Sequence, residues 1–143
     1  MKQIKLILTA AIFLFVFSKT ANAQLRSLTQ NELFNKVANV HSNSPYYKGD
    51  KPCVILFHNN SCPNAKKMES MLTQLSKRYG NRIYFYKVNV FDIDDMVMDA
   101  LEIEGVPTTF FIRGNYGGEI DADDFEGLTN METLEEYLDW LIE

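Results

Sequence analysis

Cysteine is scarce in this chain, with two residues in 143, so one internal bridge is the most it could form and a disulfide-stapled mini-fold is excluded. Histidine is equally scarce. His41, Cys53, His58 and Cys62 together lack the tight paired spacing of a structural zinc site, so no metal is expected. Four prolines and seven glycines are too few for a collagen-like or low-complexity chain. Basic charge is in deficit. Fourteen Lys and Arg stand against nineteen Asp and Glu, a net charge of −5, which leaves no surplus to grip nucleic acid or an anionic membrane. A long apolar run is missing too. The best candidate is the uncharged, mostly apolar stretch from Leu6 to Phe17. Twelve helical residues reach only about 18 Å, short of a ~30 Å hydrocarbon core.

What is present fits one compact domain, since 46% of residues are hydrophobic and 13% aromatic. The N-terminus has a different character. Lys2 and Lys5 precede the short apolar run, and Ala21-Asn22-Ala23 follows it as a small-x-small exit. That order reads as a cleaved secretory signal peptide over residues 1–23, leaving a domain at 24–143. Cleavage would remove Lys2, Lys5 and Lys19 and no acid, making the remainder more acidic still. The expected destination is outside the cytoplasm, most simply the periplasm, with no direct membrane insertion after cleavage. Export would place both cysteines in an oxidising compartment.

The rest of the chain alternates helix and strand patterns. Thr29-x-x-Glu32 is a capping box ahead of Leu33, Phe34, Val37 and Val40 at helical spacing. Cys53 to Phe57 is a continuous apolar run of strand length, suited to burial on both faces. Pro63 suits the first turn of a helix whose stripe is Ala65, Met68, Leu72, Leu75 and Tyr79, stopped by Gly80-Asn81. Ile83 to Val90 reads as a strand, and Ile93, Met96, Val97, Ala100 and Leu101 as a short helix capped by Asp92, Asp94 and Asp95. Thr108 to Ile112 reads as a third strand, with a hairpin at Gly117-Gly118 into a fourth near Ile120 to Phe125. Thr129-x-x-Glu132 is expected to cap a final helix bearing Leu134, Tyr137, Leu138 and Leu141. This order implies an α/β fold with a mixed central sheet and helices on both faces.

With these motifs in place, the chain resembles the thioredoxin family over roughly residues 33–142. Lys51 to Phe57 looks like the family's central strand, and Ser61-Cys62-Pro63-Asn64-Ala65-Lys66 falls where the family carries W-C-x-x-C-K. Gly105-Val106-Pro107-Thr108 matches its G-[VI]-P-T loop, and Gly127 matches a glycine after the last strand. The resemblance implies a thioredoxin fold. It also implies a cis Pro107 facing the active cysteine, and a substrate segment bound along Val106, Pro107 and Thr108.

The departures bear on function. Ala65 stands where the family has its second cysteine, Ser61 where it has tryptophan, and Leu56 where it has a buried acid. Cys62, at a helix N-terminus where orphan N–H groups and the helix dipole favour a thiolate, is the candidate nucleophile. Without a second sulfur, its partner would be released by an external thiol. His58 is a candidate proton shuttle, or else a polar cap on the strand end. Cys53 reads as a buried, inert thiol too far along the strand to bridge to Cys62. The leading expectation is an exported monothiol protein exchanging disulfides with protein or small thiol partners, without a cofactor. A second class uses the same groove as a non-catalytic binding or chaperone-like module, and a third senses peroxide through an exposed Cys62.

Overall fold

The computed structural model describes residues 24–143; the expected signal peptide lies outside the described residues. Five strands form one sheet: β1 (Arg26–Ser27), β2 (Cys53–His58), β3 (Tyr84–Asn89), β4 (Thr108–Tyr116) and β5 (Glu119–Glu126). Four helices accompany them: α1 (Gln30–Lys36), α2 (Pro63–Tyr79), α3 (Asp95–Ala100) and α4 (Met131–Ile142). The strand order is β1-β3-β2-β4-β5, with β2 parallel to β3 and antiparallel to β4.

All six residues of β2 are buried because it is the middle strand and helices cover both its faces. Alternation then sorts its side chains. Cys53, Ile55 and Phe57 join Leu33 of α1, Val37 at its C-cap and Val97 of α3 on one face. Val54 and Leu56 join Met68, Leu72 and Leu75 of α2 and Leu134 and Leu138 of α4 on the other. Each such burial contributes about 1.5–3 kcal/mol, so these two layers supply most of what fixes the sheet.

Local chemistry explains the element ends. The capping box at Thr29 is formed in full, with Thr29 Oγ1 accepting from Glu32 N and Glu32 Oε2 from Thr29 N. Gly117 and Gly118 both take positive φ, which a two-residue hairpin between right-twisting strands requires. β5 is an edge strand, and Glu119, Asp121, Asp123, Asp124 and Glu126 along it discourage pairing with another chain.

Three local expectations are corrected. The final helix is capped by Asn130, whose side chain accepts from Thr133 N, so its start lies one residue beyond the box expected at Thr129. Asp94 occupies the N-cap of α3 without a side-chain cap bond. Its carboxylate instead accepts from Gln30 Nε2 while Asp94 N donates to Gln30 Oε1, pinning α3 to α1. Met96 points outward and only Val97 of α3 is buried, since a helix this short presents little more than one side chain to the core.

Candidate active site around Cys62

The site gathers at one end of the sheet. The register pairs His58 with Asn89 and Phe57 with Thr108, so the exit of β2, the exit of β3 and the entry of β4 lie side by side. After His58 the chain turns through Asn59, whose Oδ1 accepts from Ser61 N at 3.0 Å, and delivers Cys62 to the N-cap of α2. Pro63 follows at the first helical position, where its missing N–H costs nothing. Cys62 makes no side-chain cap bond, no acid lies in the first turn, and Lys66 and Lys67 follow. This helix end is electropositive and its Sγ is part-exposed.

Opposite stands the loop from Gly105 to Pro107. The Val106–Pro107 peptide bond is cis, and the Val106 carbonyl oxygen lies 3.7 Å from Cys62 Sγ, the one hydrogen-bonding contact of that sulfur among the described residues. Thr108 is buried with its hydroxyl donating to Gly105 O at 2.7 Å, and Gly127 N donates to Pro107 O at 2.8 Å. Both bonds hold the loop against the sheet. Of the residues expected to bind substrate, Val106 is part-exposed, whereas Pro107 and Thr108 are buried behind it.

Ala65 is 1% exposed and heads the apolar stripe of α2, so no second sulfur stands near Cys62. Cys53 is fully buried at the far end of β2, and both cysteines are free. Burial pushes the Cys53 thiol up to about 12. His58 is buried at the end of β2, and burial holds its imidazole below the ordinary value, so the ring is neutral at pH 7. The charges of Glu69, Lys87 and Asp92 act on it, and no hydrogen bond joins it to Cys62.

Sequence reasoning missed one feature of this region. Lys87 of β3, opposite buried Leu56, meets Glu69 of α2 at 2.5 Å in a part-buried ion pair. A lone lysine within an otherwise aromatic and β-branched strand was the available signal; its partner, two turns into a helix, was not marked. Among the described residues there is no cluster of three His, Cys, Asp or Glu able to hold a metal, and no helix long and apolar enough to cross a membrane.

A mixed five-strand sheet with a lone thiol heading a helix opposite a cis-proline loop defines an α/β protein of thioredoxin-like architecture. The Thioredoxin profile matches residues 27–140, and the chain belongs to the thioredoxin family. It is 33% identical over 87 residues to a thioredoxin of Borreliella burgdorferi, an alignment covering 60% of this chain and 74% of that one. It is 29% identical over 83 residues to thioredoxin-1 of Drosophila yakuba, covering 57% and 77%. The crystal structure of a chloroplastic thioredoxin z superposes with a TM-score of 0.66 at 18% identity, covering 82% of this chain and 94% of that one. At that identity the likeness is one of fold.

Proposed function

We propose that this thioredoxin-family redox protein works outside the cytoplasm as a monothiol, exchanging disulfides through Cys62. One observation carries the reading: Cys62 Sγ is part-exposed at the head of α2, 3.7 Å from the Val106 carbonyl, while the position one turn on is Ala65. The Cys62 thiolate attacks one sulfur of a partner disulfide, forming a Cys62–partner bond and expelling the other sulfur as a thiolate. An incoming external thiolate then attacks the partner's sulfur. That regenerates the Cys62 thiolate and leaves the partner joined to the external thiol. Neutral His58, at the foot of the loop, serves as the candidate acceptor of the Cys62 proton. The part-exposed Val106 main chain offers a partner segment its hydrogen-bonding edge, with Pro107 and Thr108 supporting it.

The experiment treats the purified protein with glutathione disulfide and follows intact mass. A single glutathione adduct on Cys62, stable until an external thiol is added, is the expected result. No adduct over hours at neutral pH would overturn the exchange reading. It would favour the second one, a groove that binds partners without covalent chemistry.

A further inference from the structure

The end of the sheet that carries Cys62 also exposes large apolar side chains. Phe91 is 77% exposed and Met96 70%, although a chain of this size has ample core to hide them. Phe91 lies two residues beyond Asn89, the partner of His58 in the β2–β3 register, so it stands beside the loop leading to Cys62. Its place is fixed. Asn89 Oδ1 accepts from Phe91 N at 3.1 Å, and the 3-10 turn Val90–Asp92 holds the ring outward.

The same segment is one-signed in charge. Between Lys87 and Arg113 lie Asp92, Asp94, Asp95, Asp99, Glu102 and Glu104, with no lysine, arginine or histidine. Among the described residues none of the six has an ion-pair partner. Glu126 of β5 extends the acidic rim across the loop, its Oε1 lying 3.1 Å from where a side chain on Gly105 would begin. The thiol at the exit of β2 is therefore flanked by an exposed aromatic ring and Asp92 on the β3 side, and by Glu104 and Glu126 on the proline-loop side.

We propose that this face docks a basic polypeptide segment carrying an apolar side chain close to its disulfide sulfur, with Phe91 as the apolar anchor and the acidic rim selecting the charge. The proposal rests on the exchange reading and names the partner class for it. Opposite charge steers the encounter, and the exposed ring supplies the area that a small thiol could not use. An acidic segment, or a small anionic disulfide such as that of glutathione, still reacts at the same thiol but more slowly, on the scale of hours.

The test uses synthetic peptides with one cysteine held as a 2-thiopyridyl disulfide, the flanks being Arg and Leu, Glu and Leu, or Arg and Ser. Attack by the Cys62 thiolate on the peptide sulfur forms Cys62–S–S–peptide, and the thiopyridyl group leaves with the bonding electrons, takes a proton and is read as 2-thiopyridone. The Arg-Leu peptide should react about tenfold faster than the Glu-Leu peptide at low ionic strength, and the gap should close near 1 M salt. Phe91→Ala should slow the Arg-Leu peptide severalfold and the Arg-Ser peptide little, with Phe91→Leu restoring most of the rate. Glu104→Gln combined with Glu126→Gln should narrow the gap between the charged peptides. Equal rates for the Arg-Leu and Glu-Leu peptides would overturn the docking proposal and leave the exchange reading standing. If no thiopyridone appears with any peptide, the exchange reading falls. Docking is then decided by the anisotropy of labelled Cys→Ser peptides on the Cys62→Ser protein. There, tighter binding of the Arg-Leu peptide supports the proposal, and equal or inverted affinities overturn it.

Discussion

Cys53 and Cys62 bracket β2 and the loop that follows it, yet the fold gives the two thiols opposite environments. Cys53 begins the middle strand, has no exposed surface, and lies among Ile55, Phe57 and Tyr47 where burial penalises its thiolate. Cys62 heads α2, part-exposed, with helix N–H groups behind it and the Val106 carbonyl in front. The same side chain is core filling at one position and the proposed nucleophile at the other. Reactivity here is assigned by position in the fold, because a thiol becomes a nucleophile only where its anion is tolerated.

The largest expected effect tests that contrast directly. A chromogenic disulfide added to the native protein should release one equivalent of thiol product rapidly, and Cys62→Ser should abolish it. The second equivalent should appear only in denaturant. Native labelling of Cys53 within about tenfold of the Cys62 rate would break the contrast, since an inert thiol must be blocked by burial and not merely slower.

A second prediction concerns what Cys62 lacks. Ala65 is buried one turn along α2, and Ala65→Cys would place a resolving sulfur beside the nucleophile. Reduction of insulin with a dithiol present should rise at least about tenfold in this variant, because release becomes intramolecular. Vigorous wild-type turnover without added small thiol would show that another group resolves the mixed disulfide.

The fold was largely readable because strand and helix periodicities are strong and uninterrupted. What escaped was fixed by contacts distant in sequence. β1 is two residues long and exists because Arg26 and Ser27 pair with Tyr86 and Lys87, with Leu25 and Leu28 buried on either side. Thr129 and Asn130 both offer an N-cap oxygen with a suitable residue three positions on, and only packing of the helix decided between adjacent starts. The site divides the same way. Cys62 was marked by its proline and helix, whereas the approach of Val106, 44 residues later, was implied by family resemblance and not by any local pattern. Phe91 went unmarked because an aromatic in an acidic turn reads as ordinary until its exposure is seen.

A third prediction returns to Cys53. Cys53→Ala should cost about 1–2 kcal/mol of stability, the usual scale for a small void in a packed sheet, while leaving the Cys62 labelling rate unchanged. It should also alter the alkaline side of the stability curve. The folded thiol is raised from 9.0 to about 12, so its contribution is complete below 9 and is lost as pH rises towards 12. Urea unfolding at pH 7 and pH 10.5 should show a smaller alkaline loss in Cys53→Ala than in wild type. Equal losses would place the Cys53 thiol in contact with water.

The smallest expected effect is on the acid side and sharpens the contrast from the neighbour of the reactive loop. Burial depresses the His58 imidazole below its ordinary 6.5, with Lys87 acting in the same direction and Glu69 and Asp92 against it. As pH falls, the unfolded chain takes up this proton first. The stability associated with neutral His58 is therefore full above about 6.5 and is lost as pH falls through the lower folded value. His58→Gln keeps the polar end of β2 and removes the titration, so urea midpoints at pH 8 and pH 5 should lie closer together in the variant. The same substitution separates the two roles open to His58. If it accepts the Cys62 proton, the pH profile of glutathione adduct formation shifts in His58→Gln. If it only caps the strand, the midpoints move and the profile stays where it was.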